Sequence, residues 1–226
     1  MMKQIYNLLV LSILAGCIQS CSDNVAVFQT GMAKVRIFNA QIKSPDVSVT
    51  LDSQMVLTSL TNGMLSNPID VRSRYARVFE IRNPNDSSAN GRIALNTYTL
   101  ADNQSYTFVV RGTSITDFLR PIIDTAVSPF AGRAAMRVIN ACEETFISVY
   151  VDTLMLTPFV TDAQTITPLY KAQTGTIRVS AINDDTRDTI AKETVQLQDG
   201  KCYHIFLYDS RNGTSVQQNM KIQSVQ

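Results

Sequence analysis

The sequence is poor in the residues that most often carry enzyme chemistry. Its 226 residues include one histidine and no tryptophan. One histidine cannot serve a Ser-His-Asp arrangement in two copies of a repeat, and His204 stands inside an alternating strand pattern, where a structural histidine is typical. No glycine-rich phosphate loop is present. These features argue against an enzyme, so the sequence predicts no catalytic residue, no metal site and no cofactor.

The chain also lacks an excess of positive or negative charge. Lys and Arg number 20 against 19 Asp and Glu, which gives a formal net charge of +1. A nearly balanced charge does not favour nucleic acid or an acidic partner. No segment is apolar over the roughly 20 residues that a membrane-spanning helix needs. Apolar residues still make up 45% of the chain, which is enough to build real cores.

The longest apolar run lies at the amino end and is typical of an export leader. Lys3 provides a positive start, and Ile5 to Leu14 is mostly apolar, as in a secretory signal. Leu14-Ala15-Gly16-Cys17 then stands where cleavage is expected, and it resembles the bacterial lipobox. Lipidation of the Cys17 thiol predicts a membrane partner through an N-terminal lipid anchor. Cys21 is the alternative lipidation site, because Ile18-Gln19-Ser20 before it is a poorer match.

Two further cysteines, Cys142 and Cys202, complete the four in the chain. An exported protein can hold a disulfide, but pairing cannot be read from sequence. Two alternatives are open: a Cys142–Cys202 bridge, or two buried thiols that behave as small apolar side chains. Their spacing does not match a CxxC pair, which disfavours zinc.

Self-comparison reveals a repeat of about 80 residues, the size of a compact domain. Ala33-Lys34-Val35-Arg36-Ile37-Phe38-Asn39-Ala40 aligns with Ala134-Ala135-Met136-Arg137-Val138-Ile139-Asn140-Ala141. Val47 to Asp52 aligns with Ile147 to Asp152, and Leu100 to Phe108 aligns with Leu197 to Ile205. The sequence therefore predicts two tandem units in one exported chain.

Apolar residues inside each unit recur with a period of two, which indicates half-buried strands. Asn, Asp, Gly and Pro separate these strands at regular intervals. The predicted fold is all-β, with two tandem immunoglobulin-like β-sandwich domains after a lipoprotein signal peptide. The predicted boundaries are 1–16 for the signal peptide, 17–32 for a tether, 33–125 for the first sandwich, 126–133 for a linker and 134–226 for the second.

Four repeated side chains are predicted to be structural. Tyr106 and Tyr203 match the tyrosine of immunoglobulin-like sandwiches whose hydroxyl ties back to nearby backbone. Asp52 and Asp152 end the second strand of each unit and are expected to cap a tight turn rather than to bind calcium. Ile122 and its neighbours are expected to form a final edge strand of the first unit.

These blocks resemble bacterial lipoproteins that carry the domain of unknown function 4397, usually as tandem copies. The resemblance rests on 33–40, 47–52 and 100–112, with fainter matches in the second unit. It implies a sandwich fold, a cell-envelope location and no settled activity. Relatives often have histidine where this chain has Asn39 and Asn140, so any role of that histidine is absent here.

Two functions follow from this interpretation. The first is a non-catalytic lipoprotein of the outer membrane, on its periplasmic side or at the cell surface, that binds glycan or protein. The second is a structural or assembly spacer of the envelope. Sugar binding usually needs exposed aromatic faces, and without tryptophan only Tyr75, Tyr98, Tyr150, Tyr170 and Phe159 are available. An apolar patch near one end would favour a protein partner instead.

Overall fold

A computed structural model describes most of the chain after residue 30. The described residues are 31–42, 44–111, 121–124, 128–142, 146–156, 165–212 and 214–225. Residues 1–30 lie outside this part, and with them Cys17, Cys21 and most of the predicted tether. Most of the described residues lie in strands, which confirms the all-β class. Their only helical segment is a short 3-10 helix, Ala89–Gly91.

The first sandwich consists of two four-stranded sheets. Its strands are β1 (Met32–Ala40), β2 (Asp46–Leu51), β3 (Gln54–Thr61), β4 (Ile69–Arg72), β5 (Ala76–Arg82), β6 (Arg92–Thr99), β7 (Ser105–Arg111) and β8 (Ile122–Ile123). One sheet has the order β4-β1-β7-β8 and the other β3-β2-β5-β6. All pairings are antiparallel except that of β1 with β7, which is parallel.

The second sandwich follows the same strand order. Its strands are β9 (Ala134–Asn140), β10 (Ile147–Val151), β11 (Leu154–Met155), β12 (Tyr170–Ala172), β13 (Gly175–Asn183), β14 (Thr189–Leu197), β15 (Cys202–Asn212) and β16 (Ser215–Val225). Its sheets are β12-β9-β15-β16 and β11-β10-β13-β14, and β9 pairs with β15 in parallel as β1 does with β7. β8 is an edge strand, as the sequence predicts for Ile122.

Each sandwich has its own apolar core between its two sheets. In the first, alternate residues of β1, such as Val35 and Ile37, are fully buried against Val49, Ile81 and Phe108. The second core uses the corresponding strands. It includes Met136, Val138, Val149, Val179 and Ile205. The period of two in the sequence therefore identifies the inward faces correctly, because successive strand side chains point to opposite sides of a sheet.

The repeated tyrosines fix the loops that lead into β7 and β15. The Tyr106 hydroxyl accepts a hydrogen bond from the Ala101 backbone N–H at 3.0 Å. The Tyr203 hydroxyl accepts one from the Gln198 N–H at 2.9 Å. In each case the partner lies five residues upstream, and both rings are buried. The structural role that the sequence predicts for these tyrosines is confirmed.

The repeated aspartates cap tight turns in both sandwiches. Asp52 and Asp152 have positive φ angles of 49° and 53°, a region that short polar side chains tolerate. Asp52 Oδ1 accepts from the Val78 N–H at 3.0 Å. Asp152 Oδ1 accepts from the Arg178 N–H at 2.9 Å. Each carboxylate thus joins its turn to the neighbouring strand of the same sheet.

Many outward-facing side chains of β1, β7, β9 and β15 are buried as well. Gly31–Gln226 form one compact unit, in which the two sandwiches share a third apolar cluster. Its centre is the stacked pair of Phe38 and Phe206, whose ring centroids lie 4.0 Å apart at an interplanar angle of 11°. Val109 and Ile139 pack beside them. Sheets β4-β1-β7-β8 and β12-β9-β15-β16 therefore lie face to face, and the body has four layers of sheet.

We expect Tyr106→Phe and Tyr203→Phe each to lower the free energy of unfolding by about 1 kcal/mol, because each leaves a backbone N–H of the preceding loop without its partner. Urea unfolding followed by circular dichroism measures the change. Tyr75→Phe is the matched control, since Tyr75 is 44% exposed and should be neutral. Equal midpoints for all three variants and the unmodified chain would contradict the role of the hydroxyls.

Candidate functional site

The shared face between the sandwiches carries a buried polar layer at one end. The Asp124 carboxylate accepts a hydrogen bond from the Thr107 hydroxyl, at 2.9 Å to either oxygen. Its Oδ1 lies 3.8 Å from His204 Nδ1, and both side chains are almost fully buried. Arg36 and Arg137 contribute positive charge to the same region. Strands of both sandwiches supply this layer, so it exists only when they are packed together.

The His204 imidazole is neutral in this layer. Burial, together with the charges of Arg137 and Arg36, lowers the pKa of His204 from its ordinary 6.5 to about 3. Burial raises the pKa of the Asp124 carboxyl, although the Thr107 hydrogen bond and the two arginines oppose that shift. A separation of 3.8 Å is too long for a hydrogen bond. Asp124 and His204 are therefore neighbours in a desolvated layer, not an ion pair.

The other end of the shared face holds a second polar cluster. Burial raises the pKa of the Cys142 thiol, and the nearby Asp209 carboxylate and its hydrogen bond raise it further, while Arg111 opposes them. Asn62 connects the sandwiches directly, since its side-chain amide donates to Gln41 O at 2.9 Å and to Asp209 O at 3.1 Å. Polar contacts thus close the apolar interface at both ends.

Cys142 and Cys202 are buried free thiols, so the disulfide considered from the sequence is not formed in this structure. The strand register gives the physical reason. Cys202 lies beside Ala135 at the start of β9, seven residues before Cys142. At about 3.3 Å per strand residue they are roughly 20 Å apart, whereas a disulfide needs Cα atoms within about 7 Å. The alternative of two buried thiols is what the structure contains.

A groove opens beside the turn that Asp152 caps. Its volume is about 410 Å³, and it lies between the β10–β11 turn and β12. We call it the Leu154 groove. The described lining is Val151, Asp152, Thr153, Leu154, Met155, Leu156, Tyr170, Lys171, Ala172 and Gln173. Leu154 is 73% exposed and Met155 is 45% exposed, which is unusual for large apolar side chains that adjoin one another.

The first sandwich has a cavity of about 490 Å³ in the corresponding place, but its lining is charged. Asp52, Asp70, Arg72 and Arg77 all contribute to it. Arg77 donates to the Asp52 carboxylate at 2.6 Å, so part of this charge is paired internally. The same position in the two sandwiches therefore presents different chemistry: ion pairs in the first and apolar side chains in the second.

The structure does not bring the sequence-predicted candidates into one site. Cys17 and Cys21 lie outside the described residues, as does Phe159. Tyr98 packs in the first core against Phe79 and Phe108. Among the described residues, no group of three or more His, Cys, Asp or Glu side chains is placed to hold a metal ion. No described helix has the length and apolar character to cross a membrane.

Sequence reasoning did not predict the structural role of two buried asparagines that repeat. Asn39 and Asn140 are fully buried. Asn39 donates to Leu60 O at 2.7 Å and accepts from the Gln41 N–H at 2.8 Å. Asn140 accepts from the Cys142 N–H at 3.1 Å. These side-chain amides provide hydrogen-bond partners for buried backbone groups where β1 and β9 end. This accounts for an asparagine in both copies of the motif.

One comparison with known proteins identifies a family. Residues 33–150, just over half of the chain, match the model of the family described as Domain of unknown function (DUF4397). The chain belongs to that family. The match begins in β1 and ends in β10, so it covers the first sandwich and extends into the second. A search of curated proteins finds no match.

We expect His204 to lower the free energy of unfolding in acid. Its pKa is lower in the folded chain than in the unfolded chain, so the unfolded state binds more protons between pH 6.5 and about 3. The stability that neutral His204 contributes is fully present above pH 6.5. It is lost as the pH falls, by at most about 1.4 kcal/mol per pH unit. His204→Gln should remove this dependence in urea unfolding measured from pH 8 to pH 3.

Asp124→Asn is the control with the opposite sign. The raised pKa of the Asp124 carboxyl favours the folded state at low pH, and that benefit is lost as the pH rises through the folded pKa. The variant should therefore lose less stability than the unmodified chain when the pH is raised from acid. Unchanged pH profiles in both variants would show that neither group is buried as described.

Proposed function

We propose that the protein is a non-catalytic lipoprotein of the cell envelope, made of a tandem pair of sandwiches, that binds a protein partner through the Leu154 groove. The lipid anchor is on Cys17, with Cys21 as the alternative, and it holds the body at the outer membrane. The observation that carries the binding role is the exposed apolar lining of this groove.

The composition of the groove supports a protein partner. Leu154 and Met155 adjoin the half-buried Leu156 and Tyr170, so apolar surface is continuous across the groove. Asp152 and Lys171 add one charge of each sign to the lining. Apolar contact area with a polar rim is typical of protein-binding surfaces. The partner chemistry that fits is a polypeptide segment with one or two large apolar side chains.

The described tyrosines offer less support for a glycan partner. Tyr75 is exposed, but Tyr98 is held in the core and Tyr170 is only half-exposed at the groove. No two of these rings are stacked or in edge contact on the described surface. A sugar is usually recognised by an exposed aromatic face. A polypeptide partner is therefore the better match.

The packing of the sandwiches also weighs against a simple spacer. A spacer gains length when domains are joined end to end, whereas these sandwiches pack through the broad faces of two sheets. The histidine gives little support to an enzyme, since the His204 side chain is only 2% exposed. A general base must reach its substrate directly or through one water molecule.

The envelope location is supported by the leader alone. A positive start, a short apolar run and Leu14-Ala15-Gly16-Cys17 follow the order that lipoprotein export and processing require. A short apolar run is removed on processing, and an anchor of two or more acyl chains replaces it stably. The family match itself gives no location; only the resemblance to lipoproteins of that family agrees with the envelope.

Cys17→Ala should abolish lipidation. Labelling of growing cells with an alkynyl fatty acid, followed by gel fluorescence of the purified protein, measures the result. Cys21→Ala is the matched control and should be labelled normally, because the small residues Ala15 and Gly16 precede Cys17 only. Loss of label in the Cys21 variant alone would move the anchor to Cys21, and unchanged label in the double variant would refute a lipid anchor.

A photo-crosslinking residue at position 154 should capture one defined protein in cells that make this chain. Met155→Lys in the same background should remove the crosslink, since a charge in the groove opposes apolar contact. The control position is Leu95, which is 40% exposed on β6 of the first sandwich. Equal capture from positions 154 and 95, or none from either, would count against the groove as a docking site.

A further inference from the structure

The outer edge of β3 in the first sandwich is open in the described part of the chain. β3 pairs only with β2, and from Gln54 to Ser59 no backbone group forms a hydrogen bond with any other described strand or loop. An open edge presents unpaired N–H and C=O groups that can accept a further strand. Met55 on this edge is 55% exposed, so solvent reaches it. The equivalent strand of the second sandwich, β11, spans only Leu154–Met155.

β3 also lacks the devices by which proteins usually protect an open edge. These devices include charged side chains, proline and very short length. β3 has eight residues, and none of them is charged or proline. Each other described edge strand of more than two residues has at least one charged side chain. A register shift of the β2–β3 pairing at Val49 adds twist, but the edge stays neutral and partly apolar, which suits pairing with another strand.

The order of residues along β3 is self-complementary in antiparallel pairing. A two-fold axis through Val56 pairs Met55 with Leu57 of the second copy. The same axis pairs Gln54 with Thr58 of the second copy. Apolar side chains then meet apolar ones, polar side chains meet polar ones, and no like charges are brought together. Such an interface uses the same patch on both copies and closes on itself.

Two charges beside this edge complement each other under the same symmetry. Asp70 and Arg72 of β4 line the cavity to which Gln54 and Val56 also contribute. Both charged side chains are exposed, and no ion pair of the described residues includes either of them. Lys34 is the cross-strand neighbour of Asp70, but the two are not in ion-pair contact. A two-fold axis reverses the order of the charges, so Asp70 of each copy lies opposite Arg72 of the other.

We propose that two copies of this chain associate through β3, with Val56 at the two-fold axis and with Asp70 and Arg72 paired across the junction. The two β3-β2-β5-β6 sheets then form one continuous sheet. A second copy fits better than an unrelated polypeptide, because both the strand and the flanking charges match themselves. Pairing of one strand edge buries a small area, so the association is weak and reversible. It is independent of the Leu154 groove, which lies in the second sandwich.

The first test is disulfide trapping of the full chain with Val56→Cys under mild oxidation. Opposed residues of an antiparallel pair have Cα atoms about 4.5–5.5 Å apart, which is within the range of a disulfide. A covalent dimer is therefore expected on a non-reducing gel. Leu95→Cys is the matched control, since Leu95 is 40% exposed on the other edge strand of the same sheet. The unmodified chain gives the background from its own cysteines.

The second test is a charge exchange, measured by sedimentation equilibrium of the purified full chain from about 1 μM to about 1 mM. Asp70→Arg places like charges opposite each other and should weaken the association at least about tenfold. Adding Arg72→Asp to this variant should restore it. Asp185→Arg is the control, because Asp185 is an exposed carboxylate of the second sandwich, and it should leave the association unchanged.

Three results would each overturn the proposal. The first is a chain that stays monomeric over the whole concentration range. The second is equal trapping from positions 56 and 95, or trapping of Val56→Cys to a different protein in cells. The third is an association that Asp70→Arg and Asp185→Arg weaken equally, or that the double exchange does not restore.

Discussion

The contact between Phe38 and Phe206 is the interaction on which the arrangement of the whole body depends. Each ring projects from the outer face of its own sandwich, where a solvent-exposed strand would normally carry polar side chains. Stacking these rings, with Val109 and Ile139 around them, removes a large apolar surface from water. The outer faces of two sheets thereby become interior, and every polar residue between them must find a partner or lose its charge.

The polar groups at both ends of this interface follow from that constraint. At one end Asp124 and His204 are desolvated beside two arginines, and at the other Asn62 joins Gln41 to Asp209. These contacts fix one relative orientation of the sandwiches. A body of this kind holds the Leu154 groove at a constant position with respect to both sandwiches.

The sequence allowed the fold class, the inward faces of the strands and the roles of Tyr106 and Asp52 to be predicted, because these depend on local periodicity and on turn chemistry. It did not predict the shared face. Phe38 and Arg36 both lie on the outer side of β1, and a mixture of apolar and charged residues also suits a solvent-exposed face. Only the tertiary arrangement shows that Phe206 covers it. The Leu154 groove was not predicted from the sequence either. The turn beside it is equivalent to the turn beside the charged cavity of the first sandwich, so the turn motif alone does not distinguish the two. The family match names no ligand, so recognition must be argued from the particular side chains of this chain.

The most direct measurement of the central claim is native-state hydrogen exchange, read by mass spectrometry in peptides of both sandwiches. Phe206→Ala removes the stacked ring from the second sandwich only, and the cavity should cost about 3–5 kcal/mol. If the shared face couples the two halves, amides of β1 and β7 in the first sandwich should lose protection together with those of β9 and β15. Loss of protection confined to β9 and β15, with β1 and β7 unchanged, would contradict the account.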